Sequence, residues 1–197
     1  MLAGAKLNLG CGHSPMEGWT NLDSRPGEGV DIVFNLDSCQ ALPFKDSSIS
    51  AFHGSHVLEH IQNILPLMEE LHRVAAPGAR AVFKVPYGSS DEADEDPTHV
   101  RRFFPRSWGY FSQPYYWKAD YGYRGDWEVE EVLLRVPRAR FEGVANDEIF
   151  SEIQGLRNVV LEMEATLVAI KPIRPPDKTL QRPLNLRVQR FPPREQS

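Results

Sequence analysis

An α/β fold, with a mostly parallel sheet closed by an antiparallel edge, is what this sequence predicts, and three observations predict it. Short apolar, β-branched runs recur from the N-terminal end to Pro86. A segment at 58–74 repeats apolar residues every three or four positions, the period of a helix. Two later β-like runs, at 129–136 and 161–170, follow the parallel set and suit an antiparallel margin.

The elements follow in order. Residues 7–9 form a first strand that runs directly into Gly10-Cys11-Gly12. Residues 19–22 form a second, ending at Asp23; 31–34 a third, leading to Asp37; and 49–54 a fourth. Leu58, Ile61, Leu65, Met68, Leu71 and Val74 then line one face of a helix, which Pro77-Gly78 is expected to end. Residues 81–85 form a fifth strand, and 147–157 a helix between the two late strands. The stretch HSPMEG between Gly12 and Trp19 is shorter than the dozen or so residues that a parallel crossover usually takes, so the first crossover helix is expected to be abbreviated or lost.

Residues 1–171 read as one domain, with 87–127 an aromatic-rich insertion. From Lys171 the character changes: Pro172, Pro175, Pro176, Pro183, Pro192 and Pro193 preclude a regular helix. Residues 172–197 therefore read as a Pro/Arg-rich tail, an extended arm or a disordered segment, with disorder expected at least in its last few residues.

Composition sets bounds on function. At 197 residues, 41% of them hydrophobic, the chain can bury a sizeable core. No run approaches the roughly 18–20 apolar residues of a membrane span, so a cytoplasmic location is the expectation. Cys11 and Cys39 make neither a disulfide framework nor a zinc spacing. A net charge of −5 argues against a general nucleic-acid binder.

The two glycines of LNLGCG carry the ligand question. Glycine at a strand end serves a turn with positive φ or a ligand that must approach bare backbone. A dinucleotide would need a third glycine and a helix whose N-terminus faces its pyrophosphate; here Pro15 stands at the sixth position, and the short stretch leaves no room for that helix. A nicotinamide enzyme is therefore the weaker reading. A nucleoside without phosphates escapes the requirement.

LNLGCG, NLD, the aspartate of NLDSCQALPF, HVLEHI and ELHRVAAPGARAVFKVPY occur in that order. Together they resemble the class I S-adenosylmethionine-dependent methyltransferases, in the broad "type 11" group of small-molecule enzymes, over roughly residues 6–136. The resemblance implies a Rossmann-like, doubly wound sheet, here with a trimmed N-terminus. It implies S-adenosyl-L-methionine as cofactor, with its amino-acid end against Gly10, Cys11 and Gly12 and its ribose hydroxyls on Asp23. Asp37, Ala41 and Leu42 would border the adenine, and Ser55 and His56 would lie beneath the sulfonium. Asn8 stands where the group commonly has an acid, and Ser14 where it commonly has a third glycine. These departures keep a second reading open, an S-adenosylmethionine-binding interaction module without catalysis.

For the acceptor, a methyl bound for a hydroxyl or protonated amine calls for a base, and histidine suits neutral pH. His99, in DPTHVR, and His56 are the expected catalytic residues. His56 and His60 stand four apart, but HVLEHI brings no third ligand, and no metal site is assigned. Eleven of the chain's twenty aromatic residues lie between Phe103 and Trp127, enough for a substrate lid, a satellite core or a homodimer interface. Arg101, Arg102 and Arg106 beside them could attract an anionic acceptor or balance the acids at 91–96. The expected function is transfer of a methyl group to oxygen or nitrogen of a small molecule, a sugar or glycan precursor among them.

Overall fold

The computed structural model describes residues 4–192; the disorder expected of the last few residues falls at 193–197, outside them. The strands are β1 (Ala5–Leu9), β2 (Thr20–Asp23), β3 (Ile32–Val33) and β4 (Ile49–Ser55). A single 3₁₀ turn at Leu58–His60 precedes α1 (Ile64–Val74), which feeds β5 (Ala75–Pro86). Then come α2 (Glu92–Glu95), 3₁₀ segments at Pro105–Phe111 and Gln113–Trp117, and β6 (Trp127–Pro137). The chain continues through α3 (Arg138–Phe141), α4 (Asn146–Gly155), β7 (Glu162–Ala169) and β8 (Leu186–Phe191).

All eight strands join one sheet in the order β3-β2-β1-β4-β5-β7-β6-β8. The first five pair in parallel, and β7 is antiparallel to both β5 and β6. The Rossmann-like order and the antiparallel margin are thus both present. Loops rather than helices carry the chain through the β1–β2, β2–β3 and β3–β4 crossovers.

One face of the sheet is the core. Leu7, Leu9, Phe52, Ala81, Phe83, Val85, Ala165 and Leu167 are buried, while Lys6, His53, Val82, Lys84 and Thr166, which alternate with them, are not. α1 lays Leu67, Met68, Leu71 and Val74 on the buried side. Trp127 ties the layers together: its Nε1–H donates to the Met68 carbonyl at 3.0 Å and its ring meets Phe52 edge-on. Among the described residues no helix is long and apolar enough to cross a membrane.

Two local expectations need correction, and one open reading is decided. The helix expected over 58–74 is broken: Leu58–His60 is a 3₁₀ turn, Ile61 turns extended, and the α-helix starts afresh at Ile64. Pro66 falls in its first turn, where proline costs little. Pro77-Gly78 does not end the helix. The helix gives way at Ala75, and Gly78, at φ +77°, lies within β5, where the β4 register shifts by several residues between Ile49 and Ala51. The tail is an ordered arm as far as residue 192, and Leu186–Phe191 adds an eighth strand, parallel to β6.

Arg174 fastens that arm. Its backbone N–H and its guanidinium donate to Asp126, which is fully buried, and Nη1 reaches Glu128 at 3.0 Å. Asp126 also accepts from Ser112 and Gln113, so one carboxylate joins the tail, β6 and the aromatic insertion.

Candidate active site

In an open parallel sheet, ligands sit beyond the carboxyl ends of the strands where the order reverses. Here the reversal lies between β1 and β4. A groove of about 530 Å³ opens there, lined by Gly10 after β1, Asp23 at the end of β2, Asp37 after β3, and His56, Val57 and His60 after β4. Its volume is within the roughly 300–1,000 Å³ of small-molecule sites.

The glycines have different reasons to be there. Gly10 sits at φ +59°, and a Cβ on it would meet Val57 Cγ2 at 2.7 Å, so the β1 and β4 loops can touch only through a residue without a side chain. Gly12, at φ +50°, has nothing within 4 Å of its missing Cβ, which leaves bare backbone facing open space. Its N–H donates to Asp23 Oδ2 at 2.8 Å. Asp23 Oδ1 accepts from the Arg25 N–H at 3.1 Å, so the carboxylate is held in place by two amides.

The other expected residues divide. Asp37 lines the groove and also accepts from the Asn63 N–H at 2.7 Å, holding the start of α1. Asn8 does not reach the groove. It is buried, donates to the Ser14 carbonyl and to Asn21 Oδ1, and meets His53 Nδ1 at 3.0 Å. It orders the loop between β1 and β2. Cys11 is turned into the core, its N–H on the Leu22 carbonyl. Ala41 and Leu42 line a neighbouring cavity of about 370 Å³ with Cys39, Leu67 and Arg73. Phe34, Leu36 and Ile61 supply the apolar wall of the groove in their place. Ser55 ends β4, paired with Lys84, and is not part of the groove wall.

His56, at φ +54°, lies between two buried carboxylates, its Nε2 3.3 Å from Glu162 Oε2 and its Nδ1 3.3 Å from Glu59 Oε1. Bonding to Glu162, then to Glu59, outweighs burial and pushes its pKa up to about 9. Both carboxylates thus favour its protonated form, the opposite of what a base at neutral pH needs. Lys84 and Arg135 also contact Glu162, at 3.6 and 2.5 Å, and complete a charge cluster at the carboxyl end of the sheet.

His99 lies one layer behind the groove. The 96–101 loop folds back onto the 3₁₀ turn: the Val100 N–H donates to the Glu59 carbonyl, and Arg101 donates to the carbonyls of Ile61 and Gln62. His99 then meets His60 edge-on, ring centres 4.7 Å apart, and His60 is the member that lines the groove.

The aromatic insertion is half core, half surface. Trp108 is fully buried, stacked between Phe103 and Phe83, while Tyr110, Trp117 and Tyr121 are exposed. It walls a second cavity of about 450 Å³ with Ile64, Leu65, Arg101 and Arg106. Arg102 is paired with Asp94 and Arg157 with Asp91, so part of the acidic cluster is neutralised locally.

Strand order and a groove at the switch point define a Rossmann-like, doubly wound fold. Within it, residues 14–83 match the family described as "Methyltransferase domain", a span from the end of the glycine turn into β5. No curated protein matches the chain. The fold recurs in solved structures of low identity. An S-adenosylmethionine-dependent methyltransferase of Archaeoglobus fulgidus has a TM-score of 0.58 at 15% identity, over 85% of this chain and 87% of that one. The YcgJ protein of Bacillus subtilis has 0.54 at 11%, over 86% and 93%. An S-adenosylmethionine-dependent methyltransferase of Thermotoga maritima has 0.53 at 12%, over 86% and 84%.

Proposed function

We propose that this chain moves the methyl group of S-adenosylmethionine to oxygen or nitrogen of a small molecule, with sugars and glycan precursors the acceptor class to screen first. The observation that carries this reading is the groove at the switch point, lined by Gly10 and by the amide-anchored carboxylate of Asp23, which also borders the adjoining cavity beside Gly12. Bound there, the cofactor supplies an electrophilic methyl on a positively charged sulfur. Gly10 and Gly12 would receive its amino-acid end, Asp23 its ribose hydroxyls, and Phe34, Leu36 and Ile61 its adenine. The doubly committed His56 ring would keep a charge-balanced floor, because Glu59 and Glu162 offset its proton. No helix follows Gly12, so a pyrophosphate would find no N-terminal partner, which supports this cofactor over a dinucleotide.

Calorimetric titration with S-adenosylmethionine, and separately with NAD, tests the reading. Binding of the first alone is the expected result. Binding of NAD alone would refute it, and S-adenosylmethionine binding without turnover on any acceptor would leave the interaction module.

A further inference from the structure

We propose that Glu59, His60 and His99 form a binding site for a divalent transition-metal ion of the zinc class at the edge of the groove. Each offers one ligand atom, and the three atoms lie within 4.8 Å of one another. A Zn²⁺ coordination shell, with bonds of about 2.0–2.2 Å, needs them roughly 3–3.5 Å apart, so binding would draw the three side chains together.

The Glu59 carboxylate is 1% exposed, and neither oxygen accepts a well-aligned hydrogen bond. Its charged contact is His56 Nδ1, 3.3 Å from Oε1. A buried carboxylate whose one cationic neighbour, His56, is shared with Glu162 has its charge only partly compensated, and a bound cation would supply the rest.

Both histidines are also arranged as metal ligands usually are. The Thr98 hydroxyl donates its proton to Asp96 Oδ1 at 2.6 Å, so its oxygen accepts from His60 Nδ1–H at 2.9 Å. That fixes the tautomer and leaves Nε2 of His60 bare. His99 Nδ1 is 3.3 Å from the Ala93 carbonyl, which can only accept, and so its Nε2 is bare as well. That Nε2 lies 3.9 Å from Asp96 Oδ2, beyond hydrogen-bond reach. An acceptor that holds Nδ1–H while Nε2 stays free is the outer-shell pattern around metal-bound histidine. Two imidazoles with one carboxylate suit zinc and its neighbours rather than calcium or magnesium.

The site adjoins the cofactor groove, whose wall His60 shares. If the methyl-transfer reading holds, an acceptor hydroxyl reaching the ion beside His60 would be acidified, its proton passing to water, and its oxygen would take the methyl as the cofactor's C–S bond breaks and S-adenosylhomocysteine leaves.

Equilibrium dialysis of the full chain against micromolar ZnCl₂, with metal read by mass spectrometry, gives the test. One equivalent of zinc is expected, and His60→Ala and His99→Ala should each weaken binding at least tenfold. Glu59→Gln keeps the shape of the side chain and should weaken it likewise. Co²⁺ in place of zinc should give visible d–d bands in the wild type that vanish in His99→Ala. Substoichiometric zinc in the folded wild type, or undiminished zinc in folded His60→Ala and His99→Ala, would overturn the site. Titrating S-adenosylmethionine into the same samples separates the two proposals: cofactor bound without zinc removes only the metal site, and zinc bound without cofactor supports the metal site and removes only methyl transfer.

Discussion

Asp23, at the residue scale, is the sharpest handle on the cofactor. Its carboxylate is held by the amides of Gly12 and Arg25, and in the proposed reading it meets the ribose hydroxyls. Asp23→Ala should weaken S-adenosylmethionine binding by about 1–3 kcal/mol, the range for a charged hydrogen bond lost. Unchanged affinity in calorimetry would remove it from the site. His72 makes a different prediction. It is buried, touches Trp127 edge-on and shares a hydrogen bond with the Ile170 carbonyl at 3.0 Å. Burial lowers its pKa below the usual 6.5. Its unfolded form therefore binds a proton more readily than its folded form does. The stability it contributes is fully present above about pH 6.5 and is lost as pH falls toward the folded value. Melting curves between pH 7 and pH 5 should show that loss, and His72→Gln, which keeps a donor without a titration, should show less of it.

At the scale of elements, α1 depends on a residue from outside it. The Asn63 side chain makes no cap, and Asp37 Oδ1 instead takes the Asn63 N–H. Asp37→Ala should cost about 1 kcal/mol, the usual worth of a cap, visible as a lower denaturation midpoint. It should also weaken the cofactor, because the same residue lines the groove. The sequence announces most elements but not this arrangement. Apolar runs locate β1 to β7 because strands buried on one face keep their hydrophobic alternation. The break at 61–63 is hidden because Leu58 and Ile61 keep the helical period through it; Pro66, legible as a first-turn residue, is the signal that marks it. β8 is masked by the prolines around it, although Leu186 and Val188 alternate with Arg187 and Gln189. The site is legible where glycines and acids close strands. The meeting of His60 with His99 is not, since it needs a loop 39 residues further on to fold back by backbone hydrogen bonds, which no local pattern records.

Across the whole molecule, the Asp126–Arg174 pair holds three parts together. Asp126 is fully buried, and Arg174 brings it three donors from a segment that composition alone marks as a tail. Arg174→Ala would strand a buried charge and should destabilise the fold by about 3–5 kcal/mol. Truncation after Lys171 removes Arg174 and β8 together and should do at least as much harm. A truncated chain with an unchanged melting temperature would show the clamp to be ornamental. The arm has a second effect, on how molecules meet one another. A sheet margin with unfilled amides and carbonyls is a template for strands from neighbouring chains, and long apolar margins seed aggregates. One margin here is the two-residue β3, too short to template much, and the other is β8, carrying Arg187, Gln189 and Arg190. Molecules crowded together in concentrated solution thus find both borders blunted, by brevity on one side and by positive charge on the other.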